Sequence, residues 1–237
     1  MKTYCVFDLD GTLAPIGRPS SDECVRMLRA LEDGERAVCL CSGKPTFYLC
    51  GFARQLGLKH PILIGENGAA FQYGIDLPPK VSFTLPVEDG KMIALQKLRE
   101  KIEKACSHPL WFQPNGVALT PFISEKEDFD VIDKVLSENT ELLRGLAVYK
   151  QCDCYDILPE EVSKKEALRY LAEREGASPS QFVAVGDGIN DLPMFAFAGL
   201  SVGIGPQTEG KTDVHFDKIE DALRYLLEIQ NEERNCR

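Results

Sequence analysis

Four aspartates follow two short apolar segments of this sequence. Asp8 and Asp10 come directly after the apolar residues near the start of the chain, and Asp187 and Asp191 follow a second apolar segment, 182–185. Carboxylates collected at the ends of buried strands repel one another, and burying them costs free energy unless an opposite charge is present. A divalent cation with oxygen ligands provides that charge. The pattern therefore predicts a metal-dependent enzyme.

The segments that must position these aspartates alternate between strand-like and helix-like patterns. Short, β-rich and mostly unalternating runs are typical of strands buried on both faces, and helical patterns lie between them. This alternation predicts an α/β fold with a Rossmann-like parallel sheet, and ligands of such sheets collect at the carboxyl ends of the strands. The predicted strands are 6–7, 37–40, 62–64, 182–185 and 200–204, and the predicted helices are 21–33, 46–56, 164–175, 192–198 and 219–230.

The alternation is interrupted over residues 77–158. A helix followed by two strand-like segments occurs there twice, which predicts a small antiparallel sheet with helices on one face. Proline-containing segments, 76–79 and 158–161, mark the two boundaries. We therefore predict a core formed by residues 1–76 and 159–237 with an inserted α+β domain between them.

Charge and hydropathy limit the partners of this 237-residue chain. It has 37 acidic and 27 basic residues, a formal net charge of -10, which would mostly repel the phosphates of nucleic acid. No stretch approaches the roughly 18 to 20 apolar residues that span a bilayer, and the first strand begins too early to leave room for a signal peptide. We expect a cytoplasmic protein with neither nucleic-acid nor membrane partners, either a monomer or a homodimer.

Four segments in order, 8–12, 40–44, 162–168 and 186–191, resemble the motifs of the haloacid dehalogenase (HAD)-like hydrolase superfamily. The lysine-containing third segment resembles that of the capped Cof-type subgroup (subfamily IIB, C2 cap), which contains sugar-phosphate and phosphoglycolate phosphatases. The resemblance implies an Mg²⁺-dependent phosphatase that hydrolyses a small phosphorylated metabolite through an aspartyl-phosphate, with the insert as its cap. A phosphotransferase or phosphomutase of the same fold and a catalytically silent metabolite-binding protein are the alternatives.

The resemblance implies a role for each of the four aspartates. Asp8 is the nucleophile, and Asp10 is the acid that protonates the leaving oxygen and then activates water; alternatively, Asp10 only caps a turn. Asp187 is predicted to bind Mg²⁺ together with Asp8 and the backbone carbonyl of Asp10. Asp191 is assigned to the same metal site, although it could be no more than the N-cap of the following helix.

A lysine of the third segment is predicted to reach Asp8. Ser163 and Glu166 have the spacing of a capping box, which places Lys164 in the first helical turn. A cation is mildly disfavoured there by the helix dipole, so its presence suggests a function. Lys164 would neutralise Asp8 and the transferring phosphoryl oxygens. The family usually has glycine at the position of Lys165, which is expected to be exposed.

Four further residues are candidate substrate-binding residues. Ser42 and Gly43 could offer a hydroxyl and a closely approaching backbone amide to a phosphate, and Lys44 keeps the charge of the arginine that many relatives have. The alternative is an ordinary strand-to-helix turn before a helix opened by Pro45. Asn190 is assigned to the phosphoryl pocket by resemblance, and an ordinary turn asparagine is its alternative.

The segment 65–69 also resembles part of the capped subgroup. Its Asn67-Gly68 pair is a common signal of a hairpin turn between two strands. We predict an ordinary turn at this position.

Overall fold

The computed structural model describes residues 2–235. Strands and helices alternate through most of them. The strands are β1 (Tyr4–Phe7), β2 (Ala37–Cys41), β3 (Ile62–Gly65), β4 (Ala70–Tyr73), β5 (Val81–Thr84), β6 (Trp111–Phe112), β7 (Pro121–Phe122), β8 (Leu146–Lys150), β9 (Tyr155–Pro159), β10 (Phe182–Gly186), β11 (Leu200–Ile204) and β12 (Val214–Phe216). The α-helices are α1 (Asp22–Asp33), α2 (Thr46–Leu56), α3 (Asp89–Ala105), α4 (Glu127–Glu138), α5 (Lys164–Glu175), α6 (Leu192–Phe195) and α7 (Ile219–Asn235).

Eight strands form one sheet in the order β12-β11-β10-β1-β2-β3-β4-β5. Neighbouring strands from β12 to β3 are parallel, and β4 and β5 continue the sheet in antiparallel orientation. Every residue of β1, β2 and β10 is buried, which explains why these segments lack alternation. The predicted α/β fold is confirmed.

Helices cover this sheet through apolar stripes. In α1, the buried residues Cys24, Met27, Leu28 and Leu31 recur at helical spacing, and the Ser21 side chain begins the helix by accepting a hydrogen bond from the backbone N–H of Cys24. Burying one such leucine stabilises the fold by about 1.5–3 kcal/mol. The stripe therefore holds α1 on the sheet.

Helix α5 is attached to the sheet at its last residue as well. The Glu175 carboxylate accepts hydrogen bonds from the hydroxyls of Tyr4 in β1 and Tyr73 in β4, at 3.0 and 3.1 Å. The C-terminal end of the helix is therefore fixed to two strands of the sheet.

The chain divides into two compact units. One contains the residues up to Thr84 and from Ser163 onward, and the other is Leu85–Val162. The sequence alone places residues 77–84 in the insert, whereas β5 pairs with β4 and the rings of Phe71 and Phe83 stack 5.1 Å apart. The residues of β5 are mostly exposed, so no buried-strand pattern marks this segment in the sequence.

The unit Leu85–Val162 contains two antiparallel hairpins, β6–β7 and β8–β9. Single bridges, between Leu119 and Ile157 and between Phe122 and Cys154, connect the hairpins. The hairpins share a hydrophobic cluster with α3 and α4, which includes Leu98, Ile102, Ile132, Tyr155 and Ile157. We propose that this unit is the inserted domain.

The sequence predicts no segment long and apolar enough to span a membrane, and this prediction can be compared with the helices of the structure. None of those found in residues 2–235 combines the length and the apolar composition that crossing a bilayer requires.

Candidate active site

The candidate site lies at the carboxyl ends of three adjacent strands. β1 lies between β10 and β2 in the sheet, so the residues that follow these strands meet at one edge. The backbone N–H of Asp8 donates to the carbonyl of Val185 at 2.9 Å, which continues the pairing of β1 with β10 by one residue. Asp8, Ser42 and Asp187 therefore emerge from neighbouring strand ends, as ligand-binding residues of such sheets do.

A buried lysine joins two of the aspartates. The Nζ atom of Lys164 donates to Oδ1 of Asp8 and to Oδ1 of Asp191, each at 2.6 Å. All three residues are buried, with exposed fractions of 3% for Lys164, 6% for Asp8 and 0% for Asp191. A buried, doubly paired ammonium of this kind is a strong electrostatic contact.

The N-terminus of α5 explains why Lys164 points into the site. The Ser163 side chain accepts the backbone N–H of Glu166 at 3.2 Å, so the helix begins directly at Lys164. The Glu166 carboxylate pairs with Arg169. Lys165, one residue further round the helix, is exposed.

Asp191 organises the loop after β10. Its Oδ2 atom accepts the backbone N–H groups of Asp187 and Gly188, each at 3.0 Å, while its Oδ1 atom accepts from Lys164. The side chain makes no capping hydrogen bond to α6, although the sequence permits an N-cap. Asp191 therefore ties the acidic loop to the lysine.

Asp187 is attached to the loop after β1. Its Oδ1 atom accepts the hydroxyl of Thr12 at 2.6 Å, and a Cβ atom added to Gly11 would collide with the Asp187 carboxylate. The sequence alone assigns no role to Thr12. The available signal was a hydroxyl in the same loop as Asp8 and Asp10, but its partner lies 175 positions away in the chain.

Three carboxylates form a group that could hold a metal ion. One oxygen each of Asp8, Asp187 and Asp191 lies within 4.8 Å of the other two. The three carboxylates have a single buried ammonium, Lys164, between them, so negative charge is in excess. Hard oxygen donors with uncompensated charge suit Mg²⁺, and the residues present therefore fit such an ion. The Asp10 carboxylate is not in this group, and ligation by its backbone carbonyl stays a prediction.

Burial shifts the protonation equilibria of these groups. Burial raises the pKa of Asp8 to about 7, with Lys164 opposing the shift and Asp191 adding to it. Burial also raises the pKa of Asp187, and the Thr12 hydrogen bond opposes this rise. Burial alone would lower the pKa of Lys164, but the charges of Asp191 and Asp8 outweigh it, so this pKa is raised and the ammonium stays charged.

The other predicted site residues surround this cluster less closely. The Asp10 carboxylate is partly exposed and lies 3.4 Å from the Nζ atom of Lys44. Ser42 is buried, and its hydroxyl accepts the backbone N–H of Lys44 at 3.3 Å. Asn190 is exposed in the 3-10 turn Ile189–Asp191. The structure thus brings Asp8, Lys164 and Asp191 into direct contact, whereas Asn190 lies on the solvent side of its loop.

Comparisons with known proteins identify the family of this chain. The family model for haloacid dehalogenase-like hydrolases matches residues 5–76 and 91–211. A phosphoglycolate phosphatase from Methanopyrus kandleri is 30% identical in an alignment 240 residues long, gaps included, which covers 96% of this chain and 98% of the relative. These matches confirm the resemblance that was drawn from the four motifs.

Solved structures agree in fold. A haloacid dehalogenase-like hydrolase from Bacteroides thetaiotaomicron superposes with a TM-score of 0.77 at 18% identity, covering 95% of this chain and 100% of that one. A trehalose-6-phosphate phosphatase from Aspergillus fumigatus has a TM-score of 0.63 at 21% identity, with coverages of 97% and 93%. Taken with the family match, they leave one conclusion: the chain belongs to the haloacid dehalogenase-like hydrolases.

Proposed function

We propose that this phosphoric monoester hydrolase uses Mg²⁺ to hydrolyse a small phosphorylated metabolite, a sugar phosphate or phosphoglycolate, through an aspartyl-phosphate. The observation that carries the proposal is the pair of 2.6 Å contacts from Lys164 to Asp8 and Asp191, beside Asp187. The contacts orient the Asp8 carboxylate at the end of β1, and the half-buried carboxylate of Asp187 lies nearby. Such a group can combine nucleophilic attack with stabilisation of phosphoryl charge.

The proposed first step uses the second oxygen of Asp8. Lys164 holds Oδ1 of Asp8, so Oδ2 attacks phosphorus while the bond between phosphorus and the leaving oxygen breaks. Asp10 donates its proton to that leaving oxygen. The charged Lys164 lies against the carboxylate that becomes the phosphoryl carrier. Mg²⁺ held by Asp8 and Asp187 would add positive charge that offsets the charge of the phosphoryl oxygens.

The second step returns both aspartates to their starting states. Asp10 takes a proton from water as the water oxygen attacks the aspartyl-phosphate, and the bond between phosphorus and Asp8 breaks. Inorganic phosphate leaves. Because both its oxygens are already engaged by Lys164 and by backbone N–H groups, we propose that Asp191 mainly holds Lys164 and the acidic loop in place, with a smaller part in metal binding.

The substrate phosphate is proposed to bind beside the strand end of β2. Ser42, Gly43 and Lys44 would hold its oxygens, with Asn190 closing the pocket from the other loop. The charge of Lys44 can attract an anion although the net charge of the chain is -10. The relative from Methanopyrus kandleri supports phosphoglycolate, and the neighbour from Aspergillus fumigatus supports a sugar phosphate.

Phosphate release tests this proposal. Phosphoglycolate and a series of sugar phosphates are supplied to the purified chain with Mg²⁺ or with EDTA, and to the variants Asp8→Asn and Asp33→Asn. Asp33 is an exposed aspartate paired with Lys59 and serves as the matched control. We expect Asp8→Asn to lose roughly 10³-fold or more of kcat, EDTA to abolish turnover, and Asp33→Asn to match wild type.

Two results would change the assignment. Equal phosphate release by wild type and Asp8→Asn would show that Asp8 is not the nucleophile. Transfer of labelled phosphate to an added sugar, without release of inorganic phosphate, would assign the same site to a phosphotransferase.

A further inference from the structure

The turn between β3 and β4 is bonded to the loop that follows β2. The turn consists of Glu66–Gly68. The backbone N–H of Asn67 donates to the carbonyl of Ser42, and the backbone N–H of Glu66 donates to the carbonyl of Lys44, each at 3.0 Å. The Asn67 side chain also lies close to Gly43, because a Cβ atom added there would be 3.2 Å from Nδ2 of Asn67. One side of the turn therefore holds the candidate phosphate loop.

The other side of the same turn packs on the beginning of α5. Gly68 has a φ of +117°, and a Cβ atom at this position would lie 2.5 Å from the carbonyl oxygen of Ser163 and 2.9 Å from Cβ of Ala167. These two residues flank the first turn of α5, which starts at Lys164. The backbone of the turn thus contacts the residue before the buried lysine directly.

Two non-glycine residues of this turn have a left-handed backbone. Glu66 and Asn67 have φ values of +54° and +55°, and a left-handed conformation is uncommon for glutamate, although asparagine adopts it more readily. Glu66 is also buried. Residues keep such a conformation where the surrounding structure imposes it, and these positions are enriched at functional sites. Here the strained residues are the ones bonded to the candidate phosphate loop.

We propose that Glu66–Gly68 is a positioning element that fixes the Ser42–Lys44 loop and the N-terminus of α5 relative to each other. The bonds to the loop and the close contact at Ser163 then set where the phosphate donors and the Lys164 ammonium stand beside Asp8. This inference rests on the proposed function. The inference extends the proposed function by giving a role to a turn that touches none of the reacting atoms.

Two glycine variants of the same hairpin test the contact with α5. Gly68→Ala adds a methyl group against Ser163. Gly74→Ala adds one at a positive φ of +75°, where nothing lies within 4 Å, and is the control for an alanine at a positive-φ position without a steric contact. We expect Gly68→Ala to lower kcat by about tenfold or more relative to Gly74→Ala, because small displacements of a catalytic group are costly. KM should change by less than about threefold, because Lys164 acts on the transferring group rather than on binding.

Asn67→Gly tests the contact with the phosphate loop and introduces no steric clash. Glycine keeps the left-handed backbone and removes only the amide against Gly43. We expect KM for the phosphorylated substrate to rise several-fold with a smaller change in kcat, and Asn67→Asp, which places a negative charge beside the phosphate loop, to raise KM at least as much. Melting temperatures measured in parallel show whether the changes in KM and kcat come from this local contact or from a general loss of stability.

The outcomes distinguish this inference from the function on which it rests. If wild type releases phosphate and Asp8→Asn does not, but Gly68→Ala matches Gly74→Ala in kcat, the turn has no positioning role. If Gly68→Ala does not fold, an unchanged KM and kcat in Asn67→Gly overturns the inference instead. A wild-type chain without phosphatase activity, or an Asp8→Asn variant with full turnover, would refute the proposed function itself.

Discussion

Replacing Asp8 with asparagine is expected to stabilise the metal-free protein while it removes activity. Asp8 is buried, and its carboxylate shares one ammonium with Asp191. Asparagine has nearly the same shape and can still accept the hydrogen bond from Lys164. The substitution therefore removes a buried negative charge with little change in packing.

The pKa of Asp8 sets the size of this effect. Burial raises it from 3.8 to about 7 even with Lys164 in contact, and one pKa unit corresponds to about 1.4 kcal/mol, so the charged form costs up to ~4 kcal/mol. The folded pKa is above the unfolded one. Between the two pKa values the folded protein therefore binds an extra proton. The contribution of Asp8 to stability is largest below the unfolded pKa and is lost as pH rises through about 7.

Urea unfolding in EDTA at a series of pH values measures this effect. Above pH 7, Asp8→Asn should exceed wild type in free energy of unfolding by 1 kcal/mol or more, up to the limit of ~4 kcal/mol. The difference should shrink as the pH falls toward 4, because wild-type Asp8 is then protonated. Asp33→Asn, at an exposed ion pair, should stay within about 0.5 kcal/mol of wild type throughout. Added Mg²⁺ should stabilise wild type more than Asp8→Asn, because only wild type keeps the full set of carboxylates.

A specific result would refute this reasoning. If Asp8→Asn were as stable as wild type or less stable in EDTA above pH 7, the Asp8 charge would not be the source of strain in the metal-free site. A stability difference that did not vary between pH 4 and 8 would also exclude titration of this carboxyl as its cause.

Three further substitutions, one of them a control, test the contacts around the cluster. Lys164→Ala leaves Asp8 without its buried counter-charge and should cost about 3–5 kcal/mol of stability at neutral pH, measured by urea unfolding, and abolish phosphate release. The control Lys165→Ala should match wild type in both measurements. Loss of phosphate release in Lys165→Ala but not in Lys164→Ala would assign the catalytic role to Lys165. Thr12→Val removes the hydroxyl bonded to Asp187. It should raise the Mg²⁺ concentration for half-maximal activity by about tenfold, which corresponds to the loss of one hydrogen bond to a charged group. An unchanged magnesium requirement would mean that this bond does not orient the carboxylate.

Strands that are continuous apolar runs could be predicted from the sequence, whereas β5 and β12 could not. β1, β2 and β10 are continuous apolar runs, which give a clear signal. β5 and β12 are short and largely exposed or half-buried, and their pairing with a neighbouring strand is the main reason that they are strands. Tertiary context decides such segments more than local propensity does.

Local rules also predict part of the candidate site. The Ser163 cap fixes the register of α5, so the lysine that enters the core follows from the spacing alone. The links between Thr12 and Asp187 and between Asn67 and Ser42 have no such signal, because each joins residues that are adjacent only after folding. The turn 66–68 therefore looks like an ordinary hairpin in the sequence, and the roles of the individual site residues stay predictions.

The attachment of α5 at both of its ends limits how this enzyme can change during evolution. Lys164 reaches Asp8 just beyond one end of β1, and Glu175 reaches Tyr4 at the other end. The twelve residues of the helix span about 18 Å at 1.5 Å per residue. Inserting or deleting one residue would turn one end by about 100° relative to the other, so one of the two anchors would be lost. The length of this helix is therefore matched to a single strand, and it should stay constant while surface loops elsewhere gain or lose residues.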